Sequence, residues 1–383
     1  MKWPWTLQPF IFYPQGGGQN GDQGWLRAGA EEWTVTGTRL DKASGVVWHA
    51  VAGELPPVDT QLSGEVDAHS RLRQMARHTG EHLLAQAFAR INPAFEVAAV
   101  GMRGPDCTLD LRGSPSEADA QVAEALLREV MVAGPLTLET QLVPHTELGR
   151  YPLRRATPLT GDVQLVIFRD TAGELFDVSA CAGTHLPLGN LAAPVTVLGL
   201  EHIRAGLTRV TFRAGPEAAE YLGEVYRSAR ALAQGFNTGV AELPERVEAL
   251  RSERDRLAAE QSRLRAALAA ALVTAAPVEA YGPVQLRVLS LPDAGLLPAA
   301  LSEVPAGEVR AAVAGERCSV GSGVPELDAG ALLRAALTVS GGKGGGRAEL
   351  AQGQTQQPEQ FLAEVRRAVA EKASWSYVCH SRR

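Results

Sequence analysis

Two short stretches carry the chemistry of this chain: His78-Thr79-Gly80-Glu81-His82 and Cys181-Ala182-Gly183-Thr184-His185. In the first, two imidazoles four residues apart fall on one face of a helix, near enough to bind one ion. The second adds a thiolate and a third imidazole. Three neutral nitrogens and one sulfur suit a borderline-soft cation at tetrahedral distances. The expected cofactor is therefore one Zn2+ per chain on His78, His82, Cys181 and His185, ahead of Fe2+ and well ahead of Mg2+. A lone His-x-x-x-His on a helix is common without metal. What favours the ion is that three of the chain's eight histidines and one of its four cysteines fall in two five-residue windows.

Other residues could act around such a centre. Glu81 is expected to assist without binding metal, its side chain pointing away from the helix face that His78 and His82 share. In Tyr13-Pro14-Gln15-Gly16-Gly17-Gly18-Gln19, three successive glycines let backbone N–H groups approach a ligand, although a flexible hairpin has the same composition. Towards the C-terminus, Ser340-Gly341-Gly342-Lys343-Gly344-Gly345-Gly346-Arg347, followed by Ala351-Gln352-Gly353, combines close backbone approach with positive charge. That tract is a candidate nucleic-acid contact.

These residues need elements to position them. Residues 1–65 read as Gly- and Pro-bounded β runs, Phe10–Tyr13, Trp33–Thr36 and Gly45–Val51, which predict a small N-terminal antiparallel β-barrel. Residues 66–215 predict a zinc-binding α/β sandwich of the α+β class. Its parts are a helix from Asp67 to about Ala89, a strand at Cys107–Leu111, a helix capped by Ser116, and strands at 136–143, 163–168 and 176–178. Residues 216–276 form a helical coiled-coil arm, in which Leu243, Leu250, Leu257 and Leu264 recur every seven residues and Arg254 and Gln261 interrupt the seam. Residues 277–383 alternate short strands and helices as a small C-terminal α/β domain. The whole reads as a multidomain α+β chain.

Composition narrows the function classes. At 383 residues the chain exceeds one comfortable core. No run of eighteen apolar residues predicts a membrane span, the N-terminal residues lack a secretory pattern, and the cysteines lack the spacing of a disulfide framework; a reducing cytoplasm is expected. A net charge of −6 argues against holding nucleic acid by bulk electrostatics. Contacts would come from local groups such as Arg71, Arg73 and Arg77, Arg154-Arg155, the trio Arg204, Arg209 and Arg213, or Lys343 with Arg347.

Four motifs together resemble a known family, the alanyl-tRNA editing proteins (AlaX, long form), relatives of the editing and C-terminal domains of alanyl-tRNA synthetase. They are Phe12–Gln19 with Gly21-Asp22, Arg77–Leu84, Cys181–His185, and the glycine tract with Arg347, Ala351, Gln352 and Gly353. The resemblance implies a zinc-dependent trans-editing hydrolase that cleaves the ester joining serine to alanine tRNA, and leaves open whether the glycine ester is a second substrate. It implies Glu81 in catalysis, Gln15, Gly16, Gly17, Gly18, Gln19 and Thr184 around the substrate, and Lys343, Arg347 and Gln352 on RNA. Since a pocket cannot prefer serine over alanine by size, Gln15, Gln19 and Thr184 are candidate partners for the serine hydroxyl. A homodimer would form through the arm or the C-terminal domain. Two rivals stand beside this reading. H-x-x-E-H also spells an inverted zincin motif of metallopeptidases, and four protein ligands suit a structural zinc in a non-catalytic tRNA-binding protein.

Overall fold

A computed structural model describes residues 11–380, and the chain folds into two compact units, Met1–Gly235 and Phe236–Arg383. No helix among the described residues is long and apolar enough to cross a membrane.

The first unit begins with strands β1 (Gly24–Ala28), β2 (Glu31–Leu40), β3 (Val47–Val51) and β4 (Ser63–Val66), in the order β3-β2-β1-β4. Among the described residues β3 and β4 stand at opposite edges and do not pair, so the expected barrel is an open four-stranded sheet. Four short strands are too few to close on themselves. The expected strand at Phe10–Tyr13 is also absent: Phe10 lies outside the described residues, and Ile11–Tyr13 run as bends and irregular backbone.

Helix α1 (Ala68–Ile91) follows, and the Asp67 side chain caps it by accepting from the backbone N–H groups of His69 (2.9 Å) and Ser70 (3.2 Å). Pro93 discourages further helix, and the turn passes to Asn92. Around α1 lie β5 (Val97–Gly101), β6 (Cys107–Arg112), α2 (Glu117–Ala133, with a Ser116–Asp119 capping box), β7 (Thr137–Pro144), β8 (Asp162–Arg169), β9 (Leu175–Ala180), β10 (Val195–Arg204) and β11 (Leu207–Ala214). They form two further sheets, β10-β11-β6-β5 and β7-β8-β9. Leu83, Leu84 and Phe88 of α1 join Leu109, Leu111, Phe168 and Phe212 in one core. Helix α3 (Pro216–Gly235) ends the unit, its Glu217 bonded to Arg73 and Arg77 of α1.

The second unit starts with helix α4 (Leu243–Ala275), so the predicted helical stretch 216–276 contains two separate helices. The seam leucines Leu257 and Leu264 are 50% and 57% exposed, whereas Ala269 and Val273 are buried in a cluster with Leu296, Leu297 and Ala300. Strands β12 (Val278–Tyr281), β13 (Val284–Ser290), β14 (Glu308–Ala314), β15 (Arg317–Ser322), β16 (Gly342–Gly346) and β17 (Leu350–Thr355) make a six-stranded sheet. It is covered by α6 (Ala329–Ser340) and α7 (Pro358–His380), while α5 (Leu297–Ala300) is a single short turn.

Gly80 sets how closely α1 can lie on its sheet, because a Cβ there would stand 2.4 Å from the Cβ of Ala214 on β11. In an open helix, Gly→Ala is favourable by about 1 kcal/mol. Here overpacking opposes it at about 1–3 kcal/mol, so Gly80→Ala should destabilise the first unit on balance. A thermal midpoint at or above that of the unaltered protein would show that α1 can move off β11 at little cost.

Candidate metal centre

Helix α1 buries His78, Thr79, Glu81 and His82 along one side. The loop after β9 brings Cys181 and His185 to meet them, its first residue fastened by the Cys181 N–H to the Gln164 carbonyl at 3.0 Å. The four expected ligands converge, with one donor atom from each lying within 4.8 Å of the other three. Cys181 Sγ is 3.3 Å from His78 Nε2 and 3.4 Å from His185 Nε2. Tetrahedral zinc, with bonds of roughly 2.0–2.3 Å, sets ligand-to-ligand edges at roughly 3.3–3.8 Å, so these two edges match that ion and the donor set suits it in chemistry. Gly183 allows the approach: a Cβ there would fall 2.0 Å from Cε1 of His78.

Each imidazole is turned by a partner on its other nitrogen. His78 Nδ1 lies 2.8 Å from Gln19 Oε1, His82 Nδ1 3.0 Å from Asp177 Oδ2, and His185 Nδ1 3.4 Å from Thr79 Oγ1. These partners are themselves held. Gln19 Nε2 donates to Thr184 Oγ1 at 2.7 Å, and Asp177 accepts from Arg154 Nε at 3.0 Å and from the Ser179 hydroxyl. Such outer contacts fix tautomer and ring direction before an ion arrives.

The electrostatics suit a cation. Burial opposes a thiolate at Cys181, but the charge on His78 and hydrogen bonds from His185, His78 and His82 hold the thiol well below its ordinary pKa. Burial likewise opposes a charge on His82, yet the Asp177 bond and the Cys181 thiolate push it up to about 10. His185 is driven down to about 3 by burial and by the charges of His78 and His82. A thiolate and a proton-bearing His82 thus share one buried space, and a metal ion would displace that proton.

The centre opens onto a cavity of about 770 Å³, lined by Gln15, Gly16, Gly17, Glu81, Arg154 and Ser179 among others. Three of the six expected substrate residues therefore reach it. Gly18 instead packs behind, with φ of +86° and its carbonyl accepting from Met102 N–H at 3.2 Å; Gln19 and Thr184 bond to each other beside His78. The turn also uses donors of its own: Gln15 N–H goes to Thr38 O, Gly16 N–H to Gln19 O, and Gln19 N–H to Gly16 O.

Glu81 corrects an expectation. It does not point away from the histidines; its carboxylate lines the cavity, 3.8 Å from His82 Nε2 and 4.0 Å from Arg154 Nη1. The reason is helical geometry, since residue 81 is three on from 78 and so a neighbour of it on the surface.

The candidate RNA residues lie in the second unit. The glycine tract is an edge strand, β16, paired with β17 through Gly344↔Gly353 and Gly345↔Gln352. Lys343 and Gln352, with Arg317 and Ser319, line a cavity of about 450 Å³, while Arg347 sits in the turn between the strands, its N–H bonded to Leu350 O. Most arginines named as patches have acidic partners: Arg71 with Asp22, Arg73 and Arg77 with Glu217, Arg209 with Asp110, and Arg213 with Asp106. Asp177 and Thr79 do not stand out in the sequence as partners of the histidines. The available signal was an aspartate inside the apolar run Leu175–Val178, which has to find a partner once buried.

Elemental analysis should find about one zinc per chain, and much less in His78→Ala or Cys181→Ala; full retention in both would remove the four-residue site. Asp177→Asn should weaken zinc binding by about 10–100-fold in chelator competition. Because His82 holds its proton up to about pH 10, binding should strengthen as pH rises through neutrality and be lost on acidification. Affinity independent of pH between 6 and 8 would contradict that exchange.

Comparison with known proteins agrees with the motifs. Residues 301–374 match the DHHA1 domain. The alanine–tRNA ligase of Thermococcus kodakarensis is 31% identical over 94% of this chain and 40% of its own length, and that of Methanopyrus kandleri 28% identical over 92% and 40%. The chain thus spans about two fifths of these relatives. Among solved structures, the C-Ala domain from Aquifex aeolicus alanyl-tRNA synthetase is 25% identical, covering 26% of this chain and 98% of that one with a TM-score of 0.22. Over more than nine tenths of its length the chain is thus related in sequence to alanyl-tRNA synthetases.

Proposed function

We propose that this chain is a zinc-dependent trans-editing hydrolase of the cytoplasm, cleaving the ester that joins serine to alanine tRNA, with the glycine ester as the second candidate substrate. The observation that carries the reading is the opening of the four-ligand centre onto the same 770 Å³ cavity as Gln15, Gly16, Gly17, Glu81 and Arg154. That volume lies within the range of small-molecule sites and suits an aminoacyl-adenosine end. The relatives named as alanine–tRNA ligases support alanine tRNA as the partner.

When bound, zinc supplies a Lewis-acidic centre at the wall of the cavity. The chain's own groups do the rest. An aminoacyl ester is already activated, so holding it beside one water lowers most of the remaining barrier. Glu81 takes a proton from that water as it adds to the carbonyl carbon, and returns it to the ribose oxygen as the C–O bond breaks. Gln15 is the hydroxyl partner, since Gln19 and Thr184 are already bonded to each other. Alanine would leave such a polar group unpaired, which is how a site can favour serine despite its greater size. In the second unit, Lys343, Arg347 and Gln352 contact the tRNA, an exposed edge strand of glycines letting the RNA backbone come close.

The structural-zinc reading has one observation in its favour: all four donors come from protein and all three imidazoles are braced. The metallopeptidase reading lacks a carboxylate among the clustered donors.

Incubation of the zinc-loaded chain with seryl and alanyl forms of alanine tRNA should release serine much faster than alanine. Glu81→Gln should keep zinc and lower kcat by about 10²-fold or more, and Gln15→Ala should narrow the serine preference. No serine release would favour the structural-zinc reading, and cleavage of peptides would favour the peptidase. Truncation after Gly239 should leave zinc bound and slow hydrolysis detectable while weakening tRNA affinity; unchanged affinity would leave oligomerisation as the use of the C-terminal unit.

A further inference from the structure

Among the groups lining the metal cavity, Arg154 has the least ordinary surroundings. It was counted with Arg155 as a surface patch, yet the two diverge. Arg155 is exposed and donates to the Val97 carbonyl, whereas the Arg154 side chain is only 11% exposed. Its guanidinium meets three groups at once. Nε donates to Asp177 Oδ1 at 3.0 Å, Nη2 donates to Ser179 Oγ at 3.2 Å, and Nη1 stands 4.0 Å from Glu81 Oε1. Asp177 in turn holds Nδ1 of His82, and Glu81 approaches Nε2 of the same ring.

One planar cation therefore bonds one of the two carboxylates that flank His82 and stands 4.0 Å from the other. A guanidinium can do this because its five donors form a rigid fork, so fixing one edge on a carboxylate aims the other. We infer that Arg154 is a positioning residue which couples His82, through Asp177, to the pose of the Glu81 carboxylate. Its Nε edge orients the imidazole on the protein side, and its Nη1 keeps the carboxylate over the cavity. A lysine in the same place would supply charge and donors but not the rigid fork that fixes one edge by anchoring the other. The rate part of this inference rests on the hydrolase proposed above; the metal part does not.

Full-length Arg154→Gln and Arg154→Lys separate the two edges. Arg154→Gln should weaken zinc about 10–100-fold in chelator competition and alter the visible absorption of the cobalt-substituted protein. Arg154→Lys should recover zinc affinity and the cobalt spectrum, yet stay as slow in kcat as Glu81→Gln, with KM little changed. Combining Arg154→Lys with Glu81→Gln should add almost nothing to either. Unaltered zinc affinity and cobalt spectrum in Arg154→Gln would overturn the inference, as would full recovery of kcat in Arg154→Lys. Should Arg154→Gln fail to fold, the lysine variant and the double variant decide the matter. If neither wild type nor variant releases serine, the hydrolase reading fails while the metal measurements still judge Arg154.

Discussion

The buried hydrogen bond between His82 and Asp177 is the contact on which the site depends, because it joins helix α1 to strand β9 at the metal centre itself. Neither group could be buried alone without a large desolvation cost. Together, and with Arg154 and Ser179 bonding to the carboxylate, they form a buried polar network beside the apolar core. Removing one partner of such a pair typically costs about 3–5 kcal/mol, since the other is left charged and unpaired. The polar cluster is thus tied to the fold as firmly as the core beside it.

Everything nearby serves that junction. Gly80 lets α1 settle against β11, and Gly183 lets the Cys181–His185 loop lie on the His78 ring. The Thr79 hydroxyl reaches His185 and accepts from the Leu186 N–H at 3.0 Å, tying the loop to the helix a second time. Gln19 carries the N-terminal turn into the same network, so ligand geometry and cavity wall are set by shared contacts. Donors held in this way leave little rearrangement for an incoming ion.

The second unit works by different physics. Its glycine tract has no side chains to offer except Lys343, and what it presents is exposed backbone at a sheet edge. Such an edge invites another chain or a polyanion unless it is protected. The neighbouring cavity, with Arg317, Lys343 and Gln352, gives that edge a polar and partly basic rim. Recognition there would rest on close approach, in contrast to the fixed donor set of the first unit.

Much of this was legible in the sequence, and the reasons are local. His78 and His82 share a helix face by periodicity alone, and Ser116 and Asp67 announce helix starts. The paired windows 78–82 and 181–185 named the four donors that converge, because a donor set is a matter of residue type. Tertiary structure alone decided the rest. Whether the N-terminal strands close into a barrel depends on which edges meet, and β3 and β4 do not. Whether Gln19 faces substrate or braces His78, and whether Arg154 meets RNA or Asp177, depends on contacts across 59 and 23 residues of chain. No periodicity encodes such distances; they follow from how α1, β9 and the glycine turn pack together.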